Sequence, residues 1–519
     1  MSEKIVKTRV LVIGGGATGT GVARDLALRG IDCLLVERHD ITSGASGANH
    51  GLLHSGARYV SSDPVSASEC AREGRLLKKL AAHCIEDTGG LFVAVKGDDE
   101  NYIADFPGLC RKCGVNCRQV DVAEVLERET ALSPDTIAVY AVEDAAVDPF
   151  RLCLENMAHA LDLGAGLQRH SEVTGFTVRN GRIAATHVQN HLTGEALRVE
   201  ADLVINASGA WAGQIAAMTG AEIHVLYSKG SLLIADHRLA QRVINRLRPS
   251  SDADILVPGG TVSILGTTSI RIQTLDDIRP TIEESDFIVD TAAQMLPELQ
   301  KTRYIRAYAG VRPLVGSQKG ENDRSVSRNF SLFDHAESGV ENFITITGGK
   351  LTTYRLMAEK AVDLACDKLG IDAPCLTAVQ PLPACEDFQW TEPGLAAKQW
   401  IQDHEAGDLM LCECEMVPSS VISRVMASIR KQNEKPDLRS IGLRSRIGKG
   451  SCQGAFCGVR ISAYMSDLPE MQDYDAVTDL RRFLEGRWKG IRPVLWDASL
   501  AQEELQEALH CGLFGLELE

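Results

Sequence analysis

The sequence has no run of about 18 or more uncharged apolar residues, so a membrane-spanning helix is not predicted. Its first residues, MSEKIVKTRVLVIGGG, also lack the apolar core and the cleavage site of a signal peptide. Positive charge is not in excess, because 54 Lys and Arg stand against 70 Asp and Glu, and the formal net charge is -16. We therefore expect a cytoplasmic protein that does not bind nucleic acid, although it could still lie on a membrane surface.

The cysteine count also excludes one class of protein. Fifteen cysteines in 519 residues is an odd number in a long chain, which makes a disulfide framework unlikely to be the organising principle. Most of these cysteines lie in apolar surroundings and are expected to be small buried side chains. The group CRKCGVNC, with Cys110, Cys113 and Cys117, has no evident fourth ligand and receives the same interpretation.

Residues 9–37 carry a nucleotide-binding pattern. The apolar run RVLVI predicts a buried parallel strand, and Gly14, Gly16 and Gly19 follow it directly as G-x-G-x-x-G before a helical stretch. These glycines permit a tight turn, a close approach to a pyrophosphate and close helix packing, while the helix N-terminus binds the anion. Glu37 ends a second strand and can accept hydrogen bonds from ribose hydroxyls. The pattern predicts FAD or NAD.

The stretch after Glu37 favours FAD. Residues 38–59, RHDITSGASGANHGLLHSGARY, are rich in small side chains and leave no room for another strand and helix. Such a run suits a long cofactor that lies across the fold, with the hydroxyls of Ser43 and Ser46 near its phosphates and Gly51 beside it. A surface loop is the alternative interpretation.

Several motifs then occur in the order found in one enzyme family. They are GGGATGTGVARDLALRG, LVERHDITSGASGANHGLLHSGARY, VDPFRL, VINASGAWA, KGSLLI, GVRPL and ITGGKLTTYRLMAEKAVD. Through about residue 370 the chain resembles the FAD-dependent glycerol-3-phosphate dehydrogenases of the D-amino-acid-oxidase-like superfamily. With its cysteine-bearing C-terminal part included, it resembles the flavin-bearing A subunits of anaerobic complexes in that family.

The resemblance implies an α/β fold: a discontinuous Rossmann-like FAD-binding domain, an inserted α+β substrate domain, and a small, mostly helical C-terminal iron-sulfur domain. We predict the FAD-binding domain at 1–75, 140–220 and 335–370, the substrate domain at 76–139 and 221–334, a linker at 371–405, an iron-sulfur domain at 406–465 and a C-terminal docking segment at 466–519. Ser208, Gly209, Gly348 and Gly349 belong to turns that are expected to contact the cofactor.

A phosphorylated alcohol requires cations, and Arg binds two oxygens at once through its planar fork. Arg312 lies among apolar residues in AGVRPL, and Lys350 follows a glycine pair. The residues that the resemblance places at the substrate are Arg58, Tyr59, Arg312, Arg328 and Lys350, with Arg324 as the alternative to Arg328.

The resemblance implies that sn-glycerol 3-phosphate is oxidised to dihydroxyacetone phosphate, with hydride transfer to N5 of FAD. This reaction requires a base and charge stabilisation. We assign catalysis to His54, Arg312 and Lys350. His224 is a second candidate for the base, and His54 could instead donate a hydrogen bond to the flavin.

Four C-terminal cysteines form a candidate metal site. Cys412, Cys414, Cys452 and Cys457 have the spacing C-x-C-x37-C-x4-C, which differs from the C-x2-C pairs of zinc ribbons. The spacing resembles a bacterioferritin-associated-ferredoxin-like module with a 2Fe–2S cluster; zinc and no metal are the alternatives. A basic stretch that contains Arg439, Arg444, Arg446 and Lys449 is expected to lie beside the cluster and raise its potential.

The resemblance also implies partners: B and C subunits that pass electrons to membrane menaquinone, with peripheral attachment at the cytoplasmic face of the inner membrane. FMN is a possible second flavin. Arg238, Arg242 and Arg246 have helical spacing and predict a cationic helix face, and the tail around Trp488 and Trp496 is expected to dock on the flavin domain or on a neighbouring protein of the complex.

Two other functions fit the same sequence. One is a related flavoenzyme that acts on another 2-hydroxy acid, such as 2-hydroxyglutarate, or on an amine. The other is an electron-transfer subunit whose flavin and iron-sulfur cluster never meet a substrate.

Overall fold

The computed structural model describes residues 4–276, 278–315, 329–385, 396–432 and 434–516. Arg324 and Arg328, which the sequence places at the substrate, lie outside the described residues. Within the described ranges, no helix combines the length and the apolar character that are needed to cross a bilayer.

The described strands are β1 (Lys4–Ile13), β2 (Cys33–Val36), β3 (Leu52–Leu53), β4 (Ile85–Glu86), β5 (Gly90–Val95), β6 (Cys117–Val120), β7 (Thr136–Val142), β8 (Ala145–Val147), β9 (Gly166–Gln168), β10 (Ser171–Arg179), β11 (Arg182–Asn190), β12 (Ala196–Asn206), β13 (Val225–Ala235), β14 (Val243–Arg246), β15 (Ile255–Gly259), β16 (Val262–Gly266), β17 (Ile270–Ile272), β18 (Tyr304–Val315), β19 (Phe330–Asp334), β20 (Phe343–Gly348), β21 (Met410–Cys412) and β22 (Val417–Pro418).

The described α-helices are α1 (Ala17–Leu28), α2 (Pro64–Leu80), α3 (Glu100–Lys112), α4 (Val122–Arg128), α5 (Pro149–Asp162), α6 (Ala212–Ala217), α7 (Ile282–Ala293), α8 (Tyr354–Leu369), α9 (Ala396–Asp403), α10 (Ser419–Lys431), α11 (Leu438–Arg444), α12 (Cys457–Ser466), α13 (Ala476–Ile491) and α14 (Asp497–Phe514).

The first sheet is built on the parallel strands β9, β2, β1, β12 and β20. The last four residues of β1 are buried, as expected for a strand that is covered on both faces. Helix α1 follows β1 and packs against α5 and α8. Because β1, β12 and β20 come from distant parts of the chain, the predicted α/β class with a discontinuous first domain is confirmed.

The second sheet has the order β17-β13-β16-β15-β14-β5-β7-β6, with β18 paired along β13. Helices α4 and α7 pack on one face of it through residues such as Val125 and Ile288. Helix α3 packs on the other face, where Phe106, Cys110 and Cys113 join an apolar core. The two cysteines are therefore buried side chains, as the sequence suggested.

The predicted cationic helix around residue 242 is wrong. Residues 243–246 form strand β14, whose Val243 and Ile244 are fully buried between β5 and β15. Arg238 pairs with Glu86, and Arg246 pairs with Asp98 at 2.7 Å. The helical spacing of these arginines is overridden because sheet pairing buries the apolar residues between them.

A third core lies in the C-terminal region, where α10 to α13 pack through residues such as Val421, Ile441 and Ile461. This confirms the predicted helical C-terminal part. The basic stretch DLRSIGLRSRIGKG begins with helix α11. Within the described residues, the tail packs on the second sheet and not on the flavin domain, where the sequence had placed it as one of two alternatives: Gly490 lies against β18, and the Trp496 ring is 6.0 Å from the Tyr304 ring.

Candidate active site

A cavity of about 340 Å³ is lined by residues of both large sheets, and its volume is in the range of about 300 to 1,000 Å³ that is typical of small-molecule sites. Its wall includes the β1–α1 turn, the segment after β2, part of β18 and the β20–α8 turn. The N-terminus of α1, the end of β2 and the middle of β18 therefore face one space.

The β1–α1 turn leaves room for a ligand because it has no side chains. Gly14 has φ +109°, and a Cβ there would lie 2.7 Å from the carbonyl oxygen of Ala207. A Cβ on Gly19 would collide with the carbonyl oxygen of Gly14, so this glycine permits α1 to pack under the turn. The hydroxyl of Ser46 accepts a hydrogen bond from Ala17 N at 2.9 Å, at the N-terminus of α1.

Glu37 is held at the end of β2 by two backbone donors. Its carboxylate accepts hydrogen bonds from Gly15 N at 2.7 Å and from His39 N at 2.8 Å. Burial raises the pKa of Glu37, and the two backbone donors oppose that shift. Each carboxylate oxygen retains a lone pair for a further donor such as a ribose hydroxyl.

Two arginines also line the cavity. Arg312 donates to the carbonyl oxygen of Thr268 at 3.2 Å and to the hydroxyl of Thr267. Arg58 donates to the carbonyl oxygen of Ser251 at 2.7 Å and lies 3.4 Å from Asp254. Both guanidinium groups are thus oriented by neighbouring strands and loops.

Lys350 and His54 meet at Tyr59. Lys350 Nζ lies 4.8 Å from the centre of the Tyr59 ring and donates to the hydroxyl of Ser66 at 2.8 Å. His54 Nε2 is 3.3 Å from the Tyr59 hydroxyl, and His54 N donates to the hydroxyl of Thr352 at 3.0 Å. The imidazole of His54 and the ammonium group of Lys350 therefore both contact Tyr59.

His50 is a cavity residue that the sequence did not single out. Burial, followed by the nearby Arg312 and Arg58, lowers the pKa of His50 to about 3, so its ring is neutral near pH 7. Its Nδ1 atom is buried and has no hydrogen-bond partner among the described residues. The sequence feature that could have drawn attention to His50 is its position four residues before His54.

The four C-terminal thiols form a second site. Cys412 Sγ lies 3.7 Å from Cys414 Sγ, and Cys414 Sγ lies 3.8 Å from Cys452 Sγ. Cys457 interacts with Cys412 and with Cys452. All four are free thiols, and convergent sulfur donors of this kind suit a metal centre. Cys457 begins α12, while Cys412 ends β21.

The basic stretch near the thiols makes contacts to other parts of the chain. Arg444 pairs with Asp40 at 2.9 Å, and Arg446 pairs with Glu415 at 2.9 Å. Lys449 lies over the ring of Phe150 in α5, whereas Arg439 is exposed. Arg444 and Lys449 therefore join the C-terminal unit to the segment after β2 and to α5, whereas the sequence had predicted only a role beside a cluster.

We expect the substitution Asp40→Asn to destabilise the protein by about 3 to 5 kcal/mol, because the buried Arg444 loses its carboxylate partner and the buried Arg169 keeps only Glu434. Chemical denaturation should measure this loss. The control is Asp202→Asn, since Asp202 pairs with Arg9 in an exposed position and is expected to contribute less than about 1 kcal/mol.

The effect should depend on pH. Burial opposes ionisation of Asp40, but Arg444 and Arg169 outweigh it and hold the pKa of Asp40 well below its usual value. The ion pairs therefore stabilise the fold fully above about pH 4, and this contribution is lost as the pH falls through the folded-state pKa. A gap between wild type and variant that widens on acidification would contradict this assignment.

Relatives of known sequence cover almost the whole chain. It is 43% identical to the A subunit of the anaerobic glycerol-3-phosphate dehydrogenase of Escherichia coli (strain K12), over 98% of this chain and 97% of that protein. It is 39% identical to the A1 subunit of the same enzyme of Haloferax volcanii, over 96% of this chain and 89% of that protein. The family described as FAD dependent oxidoreductase matches residues 9–364. The chain belongs to the A subunits of the anaerobic glycerol-3-phosphate dehydrogenases, a family of FAD-dependent oxidoreductases.

Solved structures support the fold of this FAD-dependent oxidoreductase. The glycerol-3-phosphate dehydrogenase of Bacillus halodurans, complexed with FAD, has a TM-score of 0.56 at 21% identity and covers 98% of this chain and 91% of its own. The L-α-glycerophosphate oxidase of Mycoplasma pneumoniae, with FAD bound, has a TM-score of 0.57 at 17% identity over 73% of this chain and 99% of its own. The FAD-binding fold is therefore confirmed.

The cavity of this family member fits FAD. The glycine turn is open, Glu37 has acceptor capacity at the ribose end, and the buried Nδ1 of His50 is available for a ligand group. Lining residues that the sequence did not predict include Arg38, which lies 4.9 Å from the centre of the Trp211 ring.

The structure brings together most residues that were predicted for the FAD and substrate sites of this oxidoreductase. Those that line the cavity are Gly14, Gly16, Glu37, Ser43, Ser46, His54, Arg58, Tyr59, Ser208, Gly209, Arg312, Gly348, Gly349 and Lys350. Gly19 and Gly51 lie behind the wall, where a Cβ on Gly51 would meet the carbonyl oxygen of Val147 at 2.7 Å. His224 precedes β13 and is not among the described lining residues.

Proposed function

We propose that this chain oxidises sn-glycerol 3-phosphate to dihydroxyacetone phosphate as the flavin-bearing subunit of a dehydrogenase complex. The observation that carries the proposal is the convergence of Arg312, Lys350 and His54 on one cavity that also contains a nucleotide-binding turn. The E. coli relative, which is named for a glycerol-3-phosphate dehydrogenase, supports the choice of substrate.

The cations select the substrate in this proposal. A phosphate group carries two charges near neutral pH, and a guanidinium binds two of its oxygens with paired hydrogen bonds. Arg312 is oriented by Thr267 and Thr268, so its side chain loses little freedom when the phosphate binds. Lys350, near the Tyr59 ring, adds a second positive charge that favours negative charge on the reacting oxygen.

The proton leaves through His54. The imidazole Nε2 accepts the proton of the C2 hydroxyl while the C2 hydrogen departs as hydride, and the product is a ketone. FAD, when bound, supplies the hydride acceptor. The backbone hydrogen bond from His54 N to Thr352 holds the chain at this residue, and the Tyr59 ring, whose centre is 5.2 Å from the centre of the imidazole, packs against the side chain. In this proposal the substrate hydroxyl takes the place of the Tyr59 hydroxyl at Nε2.

We expect His54→Gln to lower kcat for sn-glycerol 3-phosphate by about 10²- to 10⁴-fold, because the glutamine amide cannot accept the proton. FAD content should remain that of the wild type, since the glycine turn and Glu37 are unchanged. Stopped-flow reduction of the flavin measures the step directly. Tyr59→Phe, which retains the ring under Lys350, is the control and should lose less. Flavin reduction at the wild-type rate in His54→Gln would exclude the base role.

At the four-thiol site we propose a 2Fe–2S cluster held by Cys412, Cys414, Cys452 and Cys457. The C-x-C spacing and the convergence of the four sulfur atoms support this assignment over a zinc ribbon. A cluster there would supply one-electron transfer onward from the flavin site. We propose FAD as the flavin of this cavity, because Glu37 would bind the adenosine ribose that FMN lacks. FMN stays the candidate for a second flavin, and extraction of the flavins from the holoprotein tests it.

The proposed assembly places the chain on a membrane surface without crossing it. The relatives are named as the A component of an enzyme, which supports companion subunits, and for these we retain the B and C chains, with menaquinone as the final acceptor. We propose peripheral attachment at the cytoplasmic face of the inner membrane.

Anaerobic titration of the purified holoprotein tests the function. Addition of sn-glycerol 3-phosphate should bleach the flavin absorbance and produce the EPR signal of a reduced cluster, whereas 2-hydroxyglutarate and amino acids should do neither. Bleaching by one of those compounds alone would assign a related flavoenzyme. No bleaching by any of them would favour an electron-transfer subunit without a substrate.

A further inference from the structure

The C-terminal helix α14 is packed with polar residues inward and apolar residues outward. Ser499 and His510 are buried, with 8% and 6% of their surface exposed. Leu505, Leu509 and Leu513 are 62%, 47% and 72% exposed, and their spacing of four residues places them along one side of the helix. These three leucines are called the α14 stripe below.

In the described part of the chain, buried polar atoms on the inward side of α14 lack hydrogen bonds that would stabilise the packing of this helix. Glu503 Oε2 and His510 Nδ1 are buried and have no hydrogen-bond partner within the described ranges. Burial raises the pKa of Glu503 and lowers the pKa of His510. Because a surface helix ordinarily buries its apolar side, this arrangement indicates that another surface covers the α14 stripe.

The negative charge of α14 indicates which kind of partner surface can cover the α14 stripe. Asp497, Glu503, Glu504 and Glu507 are its acidic residues, and the helix contains no Lys or Arg. An anionic lipid surface would be repelled, and a second copy of the same helix would set acids against acids. A different protein chain with an apolar groove bordered by basic residues matches both properties of the helix.

The stripe belongs to a helix that is attached beside the four-thiol site. His510 Nε2 lies 3.4 Å from the carbonyl oxygen of Ala455, in the loop between Cys452 and Cys457. Phe456 in this loop is 61% exposed, so a second apolar side chain stands next to a thiol ligand. A partner that covers both would approach the position where electrons leave the chain.

We infer that the α14 stripe and Phe456 form the docking surface for a basic partner subunit that receives electrons from this chain. The inference deepens the proposed function, on which it rests for the direction of electron flow. It adds the location of the interface and the chemistry of the partner: apolar at its centre and positively charged at its rim.

The test compares wild type with Leu505→Glu/Leu509→Glu. The matched control is Leu192→Glu, because Leu192 is 70% exposed in the turn between β11 and β12. Each chain is purified anaerobically as holoprotein from gently lysed native cells, and its mass is measured by light scattering. Wild type and control should form an assembly that contains a second, different polypeptide, whereas the double variant should have the mass of the single 56.2 kDa chain. Iron, FAD and dye-linked turnover should be unchanged in all three.

Several results would overturn the inference. They are an intact assembly in the double variant, a wild-type chain that is monomeric, a wild-type assembly made only of this chain, and stripe-dependent binding of the wild-type chain to phosphatidylglycerol vesicles. Failure of the proposed function is recognised separately: wild type would show no dye-linked oxidation of sn-glycerol 3-phosphate, whatever its mass.

Discussion

Replacing Arg312 with alanine is expected to lower kcat/KM for sn-glycerol 3-phosphate by about 10²- to 10³-fold, the usual effect of removing one oriented donor for negative charge. The side chain carries a fixed positive charge into the cavity, and Thr267 and Thr268 orient it. Steady-state kinetics with a dye acceptor measure the loss, and FAD content should remain constant because Arg312 contacts Thr267 and Thr268 and the glycine turn is unchanged.

Two further variants define what Arg312 does. Arg312→Lys retains the charge without the planar fork and should recover part of the activity. Arg128→Ala removes an exposed arginine on α4 and should have no effect on turnover. Full dye-linked activity in Arg312→Ala, with the fold intact by thermal melting, would remove Arg312 from the substrate site.

Replacing Cys412 with serine is expected to abolish electron transfer to membrane quinone while dye-linked oxidation of the substrate continues. Cys412 is 1% exposed and lies 3.7 Å from Cys414, so its loss opens the four-thiol site on its buried side. Metal and sulfide analysis of the purified protein, together with quinone reduction by reconstituted membranes, measures both effects. The C-terminal core should also lose stability, because metal binding contributes to the folding of small domains.

Cys375→Ser is the matched control, since Cys375 is a partly buried thiol that contacts the Thr377 hydroxyl outside the site. It should retain metal and quinone-linked activity. If analysis of the wild-type protein finds zinc and no sulfide, the site holds a structural zinc ion and not a 2Fe–2S cluster. Unchanged quinone reduction in Cys412→Ser would show that electrons do not pass through this site.

The nucleotide end of the cavity could be predicted because its determinants are local. Gly14 and Gly16 are separated by one residue, and Glu37 follows at the end of the next strand, so their spacing along the chain already implies a turn, a helix N-terminus and an acid. The four thiols were found in the same way, from cysteine spacing. In both cases the chemistry requires particular residue types at characteristic spacings, such as the C-x-C and C-x4-C pairs of the thiols.

The positions of the cations and of His50 in the cavity depend on contacts between residues that are distant in the sequence. Arg312 and Lys350 were selected for the apolar or glycine-rich residues around them, but their partners Thr267 and Ser66 are far away in the chain. His50 was missed because its spacing from His54 does not show that burial and two arginines from other elements lower its pKa.

Two basic residues have ion-pair partners that differ from the roles predicted for them. Arg444 was expected to tune a metal centre, yet its side chain crosses to Asp40, 404 residues earlier in the chain. Arg246 has helical spacing with its neighbours, but it ends a strand and pairs with Asp98. The spacing of residues shows which of them share a face only when it is known whether the segment is a helix or a strand. Here the segment is a strand because it pairs with strands that are distant in the sequence.

The sequence by itself therefore determined the nucleotide-binding turn, the acid that follows it, the four-thiol set and the family resemblance, because each is recognised from short motifs and their spacing along the chain. Only the tertiary structure decided which cations enter the cavity, which are neutralised by buried carboxylates, and which side of α14 remains uncovered. The physical reason is that burial and charge pairing are properties of packed surfaces, and packing brings together residues that the chain separates by hundreds of positions.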